Sequence, residues 1–267
     1  MKLLRCFIPS FQRAGIICTP KQFDAEQWYR VVVHSDGERA DYARHSGIAA
    51  ERIIVSHAPP TLGQQRHWIL ENLVDDDEWV LMADDNIRRF EVVDPKHYGE
   101  NLLDTDSKSS DYWRRVYRTR ADWACVRGVV EESIAVAERH GTRLIGFANN
   151  DNPFFRRRKW RREGFVCGKF YVVRRGPLRF DPSFTVKSDY DFSAAHMQRY
   201  GSVVINNFLF PSFRRFETGG VGPQQARFAP AREAVSRLLQ KYPGLFRIKN
   251  KPGCAPGTEV VMVQQRN

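Results

Sequence analysis

The octapeptide Trp79-Val80-Leu81-Met82-Ala83-Asp84-Asp85-Asn86 changes character abruptly. Five apolar residues run without interruption into two adjacent acids and an amide. A short, continuously apolar run bounded by polar residues suits a strand covered on both faces, and such strands belong to mainly parallel sheets flanked by helices. Acids at the carboxyl end of such a strand lie where an open α/β sheet places its ligand.

The surrounding chain has the same grammar. Upstream, residues 3–9, 30–34 and 52–56 read as strands, the first stopping at Pro9-Ser10 and the second at Ser35-Asp36-Gly37. Residues 38–45 predict a short helix closed by Gly47. Leu62, Trp68, Ile69 and Leu73 fall near helical spacing within 61–74. Downstream, a polar, aromatic-dotted stretch spans 94–120, and a long helix is expected over 123–140, with Gly141 suited to its C-terminal stop. Strands at 143–148, 165–173 and 202–210 follow, with a helix beginning near Asp189, another over 229–242 and a hairpin-like tail. Trp28, Trp68, Trp79 and Trp123 stand in periodic apolar context and are expected in the core. This alternation predicts an α/β sandwich with a mainly parallel central sheet. No repeat, low-complexity tract or Gly/Ser linker divides the chain, so one domain over 1–267 is expected.

At 267 residues, 42% apolar and 27% charged, the composition excludes disorder as the main state. No apolar run approaches the roughly 18–20 residues needed to cross a membrane, and the run at 3–8 reads as a buried strand, not a signal peptide. Five scattered cysteines without a C-x-x-C pair predict reduced thiols and a cytoplasmic location. Charge is unevenly placed. Residues 1–140 hold 19 Lys/Arg against 23 Asp/Glu, whereas 141–267 hold 23 against 8. An acidic half followed by a strongly basic one points to a polyanion as partner of the second.

Several groups carry chemistry. Asp84 and Asp85 repel each other, and a divalent cation bridging diphosphate oxygens would offset that repulsion. Pro9-Ser10-Phe11-Gln12-Arg13, the acid Asp36 and Gly63-Gln64-Gln65-Arg66 follow the first three strands, and their arginines suit phosphate. Asp189 and Asp191 open a helix, where a carboxylate either caps or serves as a general base. The segment Phe154-Phe155-Arg156-Arg157-Arg158-Lys159-Trp160-Arg161-Arg162 interleaves cations with aromatics, as nucleic-acid contacts require. Thr218-Gly219-Gly220-Val221-Gly222 reads equally as a lid or an ordinary turn. Neither a G-x-G-x-x-G fingerprint nor a P-loop is present.

Taken together, Pro-Ser-x-x-Arg, an acid after the second strand, Gly-Gln-Gln-Arg, Ala-Asp-Asp-Asn and the later Asp-Tyr-Asp-Phe resemble glycosyltransferases of the GT-A fold. More narrowly, residues 3–215 look like the phage TET-associated glycosyltransferases, which sugar-modify hydroxymethylated pyrimidines in DNA. The resemblance implies a GT-A-like (Rossmann-like) α/β/α sandwich, with 1–140 mainly the donor half and 141–267 the acceptor half. It implies a nucleotide-sugar donor, a UDP-sugar in particular, bound by Pro9, Ser10, Arg13, Asp36, Gln64, Arg66 and Asp84. A Mn²⁺ or Mg²⁺ ion would be held by Asp84, Asp85 and Asn86, although Asn86 stands where many members have an acid. Asp189 or Asp191 would lie on the acceptor side, DNA would meet residues 154–162, and the location would be a host cytoplasm. No membrane or obligate protein partner is implied. Two other readings compete: a two-metal DNA nuclease using Asp84, Asp85, Asp189 and Asp191, and a non-catalytic nucleic-acid-binding module on a degenerate transferase fold.

Overall fold

The computed structural model describes residues 4–93, 118–150, 159–213, 225–250 and 253–263. The first strands are β1 (Arg5–Pro9), β2 (Tyr29–Val33), β3 (Ile53–Val55) and β4 (Trp79–Ala83). Helix α1 (Asp36–His45) separates β2 from β3, and α2 (Leu62–Asn72) separates β3 from β4. Then come β5 (Ile87–Val93), β6 (Arg118–Ala121), α3 (Trp123–Arg139), β7 (Leu144–Phe147), β8 (Trp160–Arg161) and β9 (Phe170–Arg174). The chain continues through α4 (Ser188–Tyr200), β10 (Val204–Asn206), β11 (Leu209–Phe213), α5 (Phe228–Lys241), β12 (Phe246–Ile248) and β13 (Val260–Met262).

Eight strands form one sheet in the order β3-β2-β1-β4-β9-β7-β10-β8. Six of them point the same way; β9 and β8 run against their neighbours. Alternation along each strand explains the unbroken apolar runs. Cys6, Ile8, Val31, Val33, Leu81, Ala83, Ile145 and Phe147 enter one buried cluster with Tyr42 of α1 and Trp123, Val126 and Val130 of α3. Phe7, Val32, Val80, Met82, Leu144, Tyr171 and Val173 enter another with Ile69 and Leu70 of α2 and Phe192 of α4. Both faces are therefore covered, which is why no polar residue interrupts these strands. A third cluster joins α5 to the β12–β13 hairpin through Ala234, Leu238, Tyr242, Phe246 and Met262. Trp123 is buried, while Trp28, Trp68 and Trp79 are partly buried against these clusters. None of the five cysteines forms a disulfide.

The order β3-β2-β1-β4 places the reversal between β1 and β4. The chain winds outward through β2 and β3, then returns to the other side of β1. A crevice opens where neighbouring connections leave in opposite directions, and here it lies beyond Pro9 and Ala83.

Three expectations change. The strand expected over 165–173 begins only at Phe170 and runs antiparallel, pairing Ala83 with Phe170 and Trp79 with Arg174. The strand expected over 202–210 is two strands in different sheets. Asn206, fully buried, accepts the Phe208 amide at 2.8 Å and turns the chain out of the large sheet. Residues 87–93, to which the sequence reading assigns no element, form β5 of a second sheet, β11-β5-β6.

Candidate active site

The carboxyl edge of the parallel strands collects the singled-out motifs. Ser10 follows β1, Asp84 and Asp85 follow β4, and residues 166–169 lead into antiparallel β9 at the same edge. Three of the four non-glycine residues with positive φ among the described residues sit in loops here: Gln12 (54°), His57 (51°) and Lys187 (58°). Backbone strain of this kind, of order 1–3 kcal/mol per residue, gathers where a fold over-determines a loop around a site.

Asp85 is 8% exposed and fully engaged. The Ser10 hydroxyl donates to its Oδ2 at 2.5 Å, and Arg13 Nη1 donates to its Oδ1 at 3.2 Å. With the Ser10 proton committed, the Tyr42 hydroxyl donates to Ser10 Oγ at 2.6 Å and accepts the Arg13 amide at 3.0 Å. The Asp85 carbonyl accepts the amides of Cys18 and Thr19. Burial lifts the Asp85 carboxyl to about 6, against the pull of Arg13 and Ser10. Asp85 is thus the anchor of the loop after β1.

Asp84 faces a second assembly. Arg66 comes from the second turn of α2, is 2% exposed, and lies beside the rings of Tyr171 and Phe180, 5.6 and 5.7 Å from their centroids. Its Nη2 donates to Asp84 Oδ1 at 2.9 Å and to the Gly168 carbonyl. The Gly168 amide in turn donates to Asp189 Oδ2 at 3.1 Å. One residue's backbone therefore links the Arg66–Asp84 pair to Asp189 at the start of α4. The Asp84 carboxyl is raised by burial, with Arg66 and Lys169 opposing and Asp189 adding repulsion, so the two acids sense each other. A Cβ on residue 168 would lie 2.5 Å from Arg66 Nη1, so any side chain here would have to displace the Arg66 guanidinium.

These contacts do not suit the expected ion. Both Asp85 oxygens are held by Ser10 and Arg13, and Asp84 Oδ1 is held by Arg66. Asn86 is half-buried in the turn to β5. Among the described residues, no three His, Cys, Asp or Glu side chains are placed to hold a metal. Ser10, Arg13 and Arg66 thus already engage three of the four carboxylate oxygens of the expected ligands Asp84 and Asp85. The chain matches no protein-family model and no curated protein.

Other expected residues divide. Pro9, Ser10, Arg13, Arg66, Asp84 and Asp189 stand at this edge, with Pro9 the last residue of β1. Asp36 is exposed in the first turn of α1, after the Ser35 cap. Gln64 completes the N-terminus of α2, its amide accepted by Thr61 Oγ1 at 3.3 Å and its side-chain Oε1 accepting the Thr61 hydroxyl at 3.0 Å. Asp191 is turned away. It is 2% exposed, bound by Tyr242 Oη at 2.8 Å and Lys241 Nζ at 2.7 Å, and holds α5 against α4. Its candidacy as a base is withdrawn, and with it the four-carboxylate arrangement of a nuclease. Neither acid caps α4; Lys187, in the left-handed region, is the residue before it.

In the basic segment, residues 154–158 lie outside the described residues, as do 218–222. Lys159 pairs with Glu132 at 2.7 Å. Trp160 is part of edge strand β8 and packs against the core beneath α3, so it is not a free wedge. Arg161 is half-buried opposite Ile205, and Arg162 is exposed.

Several residues at the edge were missed by sequence reasoning. Gln65, 2% exposed, donates to the Val32 carbonyl at 3.1 Å and ties α2 to the end of β2. Tyr42, Gly168 and Lys169 belong here too. Only Gln65 stood within a quoted motif. The others are joined to the edge by tertiary contacts that no local spacing encodes.

Proposed function

We propose that this chain is a glycosyltransferase that moves a sugar from a nucleotide-sugar to a hydroxymethylated pyrimidine base in DNA. The observation that carries the reading is the Asp84–Arg66–Gly168–Asp189 linkage beside the β1/β4 reversal. It brings an anion-binding cation and an oriented carboxylate to the crevice where an open α/β sheet takes a phosphate-bearing ligand. Asp85 contributes by fixing Ser10 and Arg13, which shape the loop after β1.

Asp189 is the general base. In an inverting transfer it accepts the proton of the acceptor hydroxymethyl group as that oxygen attacks the anomeric carbon, and the Gly168 amide holds the carboxylate in place. The basic stretch supports DNA as the acceptor. The described flanks of this stretch, the end of β7 and Trp160, which pairs with Asn206 at the end of β10, lie at the same sheet edge as Asp84. Cations there neutralise backbone phosphates. In a duplex the target base must also leave the stack, at a cost of a few kcal/mol.

The test is nucleoside mass spectrometry after incubating hydroxymethylated DNA with a panel of nucleotide-sugars. One donor should add a single sugar to the hydroxymethylated nucleoside and leave unmodified cytosine and thymine alone. Unchanged nucleosides with every donor, or nicked DNA instead, would remove the assignment.

A further inference from the structure

From Arg161, at the end of the basic stretch, to Gly168, the chain forms a strap over the large sheet. Its middle is fixed. The Val166 amide donates to Ser193 Oγ at 3.0 Å, and that hydroxyl donates to the Asp189 carbonyl at 2.7 Å. A Cβ on residue 146 would lie 3.0 Å from Val166 Cγ1, so the strap closes directly on β7. At its end the Gly168 amide holds the Asp189 carboxylate.

Two side chains of the strap lack the partners a purely structural role would supply. Arg161 pairs across β8 with Ile205, so it shares the sheet face on which α4 lies. It is half-buried beside the turn at Gly164, where a Cβ would lie 3.8 Å from Arg161 Nη1. Gly164 has φ 112°, a conformation open chiefly to glycine. Arg161 Nε is buried without a hydrogen-bond partner, and among the described residues no carboxylate pairs with the guanidinium. Burial lowers its pKa, with Glu163 opposing. A cation drawn from water without a counter-charge costs free energy until an anion joins it. Phe165 is the second. It is half-buried and stacks on Tyr190, centroids 3.9 Å apart and planes 15° from parallel. Tyr190 is packed further by the Lys187 ammonium and the Phe246 ring, whereas Phe165 meets no other ring among the described residues. Phe165 is thus the outer ring of a pair that flanks Asp189 in the first turn of α4.

We infer that the strap 161–168 is the acceptor subsite: a pyrimidine turned out of the DNA stack lies on Phe165, and Arg161 holds a phosphate of the same strand. The inference rests on the transferase reading above. Stacking on an aromatic ring offsets part of the cost of unstacking the base in the duplex. Arginine offers paired N–H donors matched to phosphate oxygens. Ser193 and the Gly168 amide fix the strap to the start of α4, so a base seated on it is held in one orientation to Asp189.

The experiment follows sugar transfer by nucleoside mass spectrometry, using the full chain, the nucleotide-sugar that supports transfer and a duplex carrying a single hydroxymethylcytosine. Phe165→Ala should raise the acceptor KM by about tenfold or more, and Phe165→Tyr should restore most of the loss. Arg161→Met should raise the acceptor KM by about tenfold and lower the slope of log K for DNA against log salt by about 0.9, the value of one phosphate. Arg161→Lys should restore the slope. In all these variants the donor KM should stay within about twofold of wild type, which a misfolded chain would not allow. A wild-type acceptor KM in either the Ala or the Met variant would overturn the inference and leave the transferase reading standing. Equal losses in donor and acceptor KM would make the strap structural and overturn the inference as well. A wild-type chain that modifies no DNA with any donor would remove the transferase reading, and this inference with it.

Discussion

Gly168 is the residue on which the site's geometry turns. Its carbonyl and amide join Arg66 to Asp189, and its missing Cβ leaves room for a guanidinium held between two rings. Gly168→Ala should displace Arg66, lower stability by about 1–3 kcal/mol and reduce transfer at least tenfold, as urea unfolding and a donor-turnover assay would show. Asp189→Asn is nearly isosteric and keeps an acceptor for the Gly168 amide but cannot take a proton. It should leave nucleotide binding within a few-fold of wild type and cut turnover by about 10²-fold or more, read as a fall in kcat. Equal losses in binding and turnover would make Asp189 a structural residue. The acids of the site were legible in the sequence because Asp84 and Asp85 end an apolar run and Asp189 opens a helix. Asp191 shares that helical turn with Asp189, yet it points to Lys241 and Tyr242. A two-residue offset on a helix reverses direction, and only the position of α5 shows which acid faces the site.

Among the elements, α2 and α4 hold the two halves of the site together. A Cβ at Gly63 would lie 3.0 Å from the Phe184 carbonyl and 3.0 Å from Ser188 Cβ, so this glycine lets α2 approach the start of α4. The glycine of the Gly-Gln-Gln-Arg motif therefore serves packing, and Arg66 three residues on carries the charge. Further along α4, His196 is 2% exposed, donates from Nδ1 to the Phe192 carbonyl at 2.9 Å and lies beside the Phe192 and Tyr200 rings. Burial, with Arg143 nearby, lowers its pKa to about 4. The unfolded chain takes up this proton near 6.5 and the folded chain does not until about 4, so acid favours unfolding between those values. Stability should fall as pH drops through this window, by up to about 1.4 kcal/mol per pH unit from this residue. Asp85, raised to about 6, contributes the opposite slope over part of the range. The difference between wild type and His196→Gln in urea unfolding from about pH 7 to 4 isolates the histidine, and parallel curves would contradict its neutral burial. Most elements were legible because apolar alternation and helical spacing are local. The direction of β9 and the break at Asn206 were not, since they depend on which neighbours the strands meet.

For the molecule as a whole, the split in charge along the chain does not divide the fold. The large sheet takes β1–β4 from the acidic part and β7–β10 from the basic part, so the excess cations return to the sheet that carries Asp84. DNA affinity should fall steeply with salt. Replacing Arg156, Arg157 and Arg158 by Gln should lower the slope of log K against log salt by about 0.9 for each phosphate no longer neutralised, while nucleotide binding stays unchanged. An unaltered slope would send DNA to another surface. The mainly parallel α/β class, the acids of the crevice and Arg13 and Arg66 were readable in advance; the pairing of those arginines with those acids was not, because each pair joins residues far apart in sequence. A crystal structure of the chain with a bound nucleoside diphosphate would locate the donor site outright. The diphosphate should lie between the Ser10 loop and Arg66, with Asp189 facing the position its sugar would occupy. A diphosphate bound at any other face of the sheet, or Asp189 turned from it, would refute a transferase site at the β1/β4 reversal.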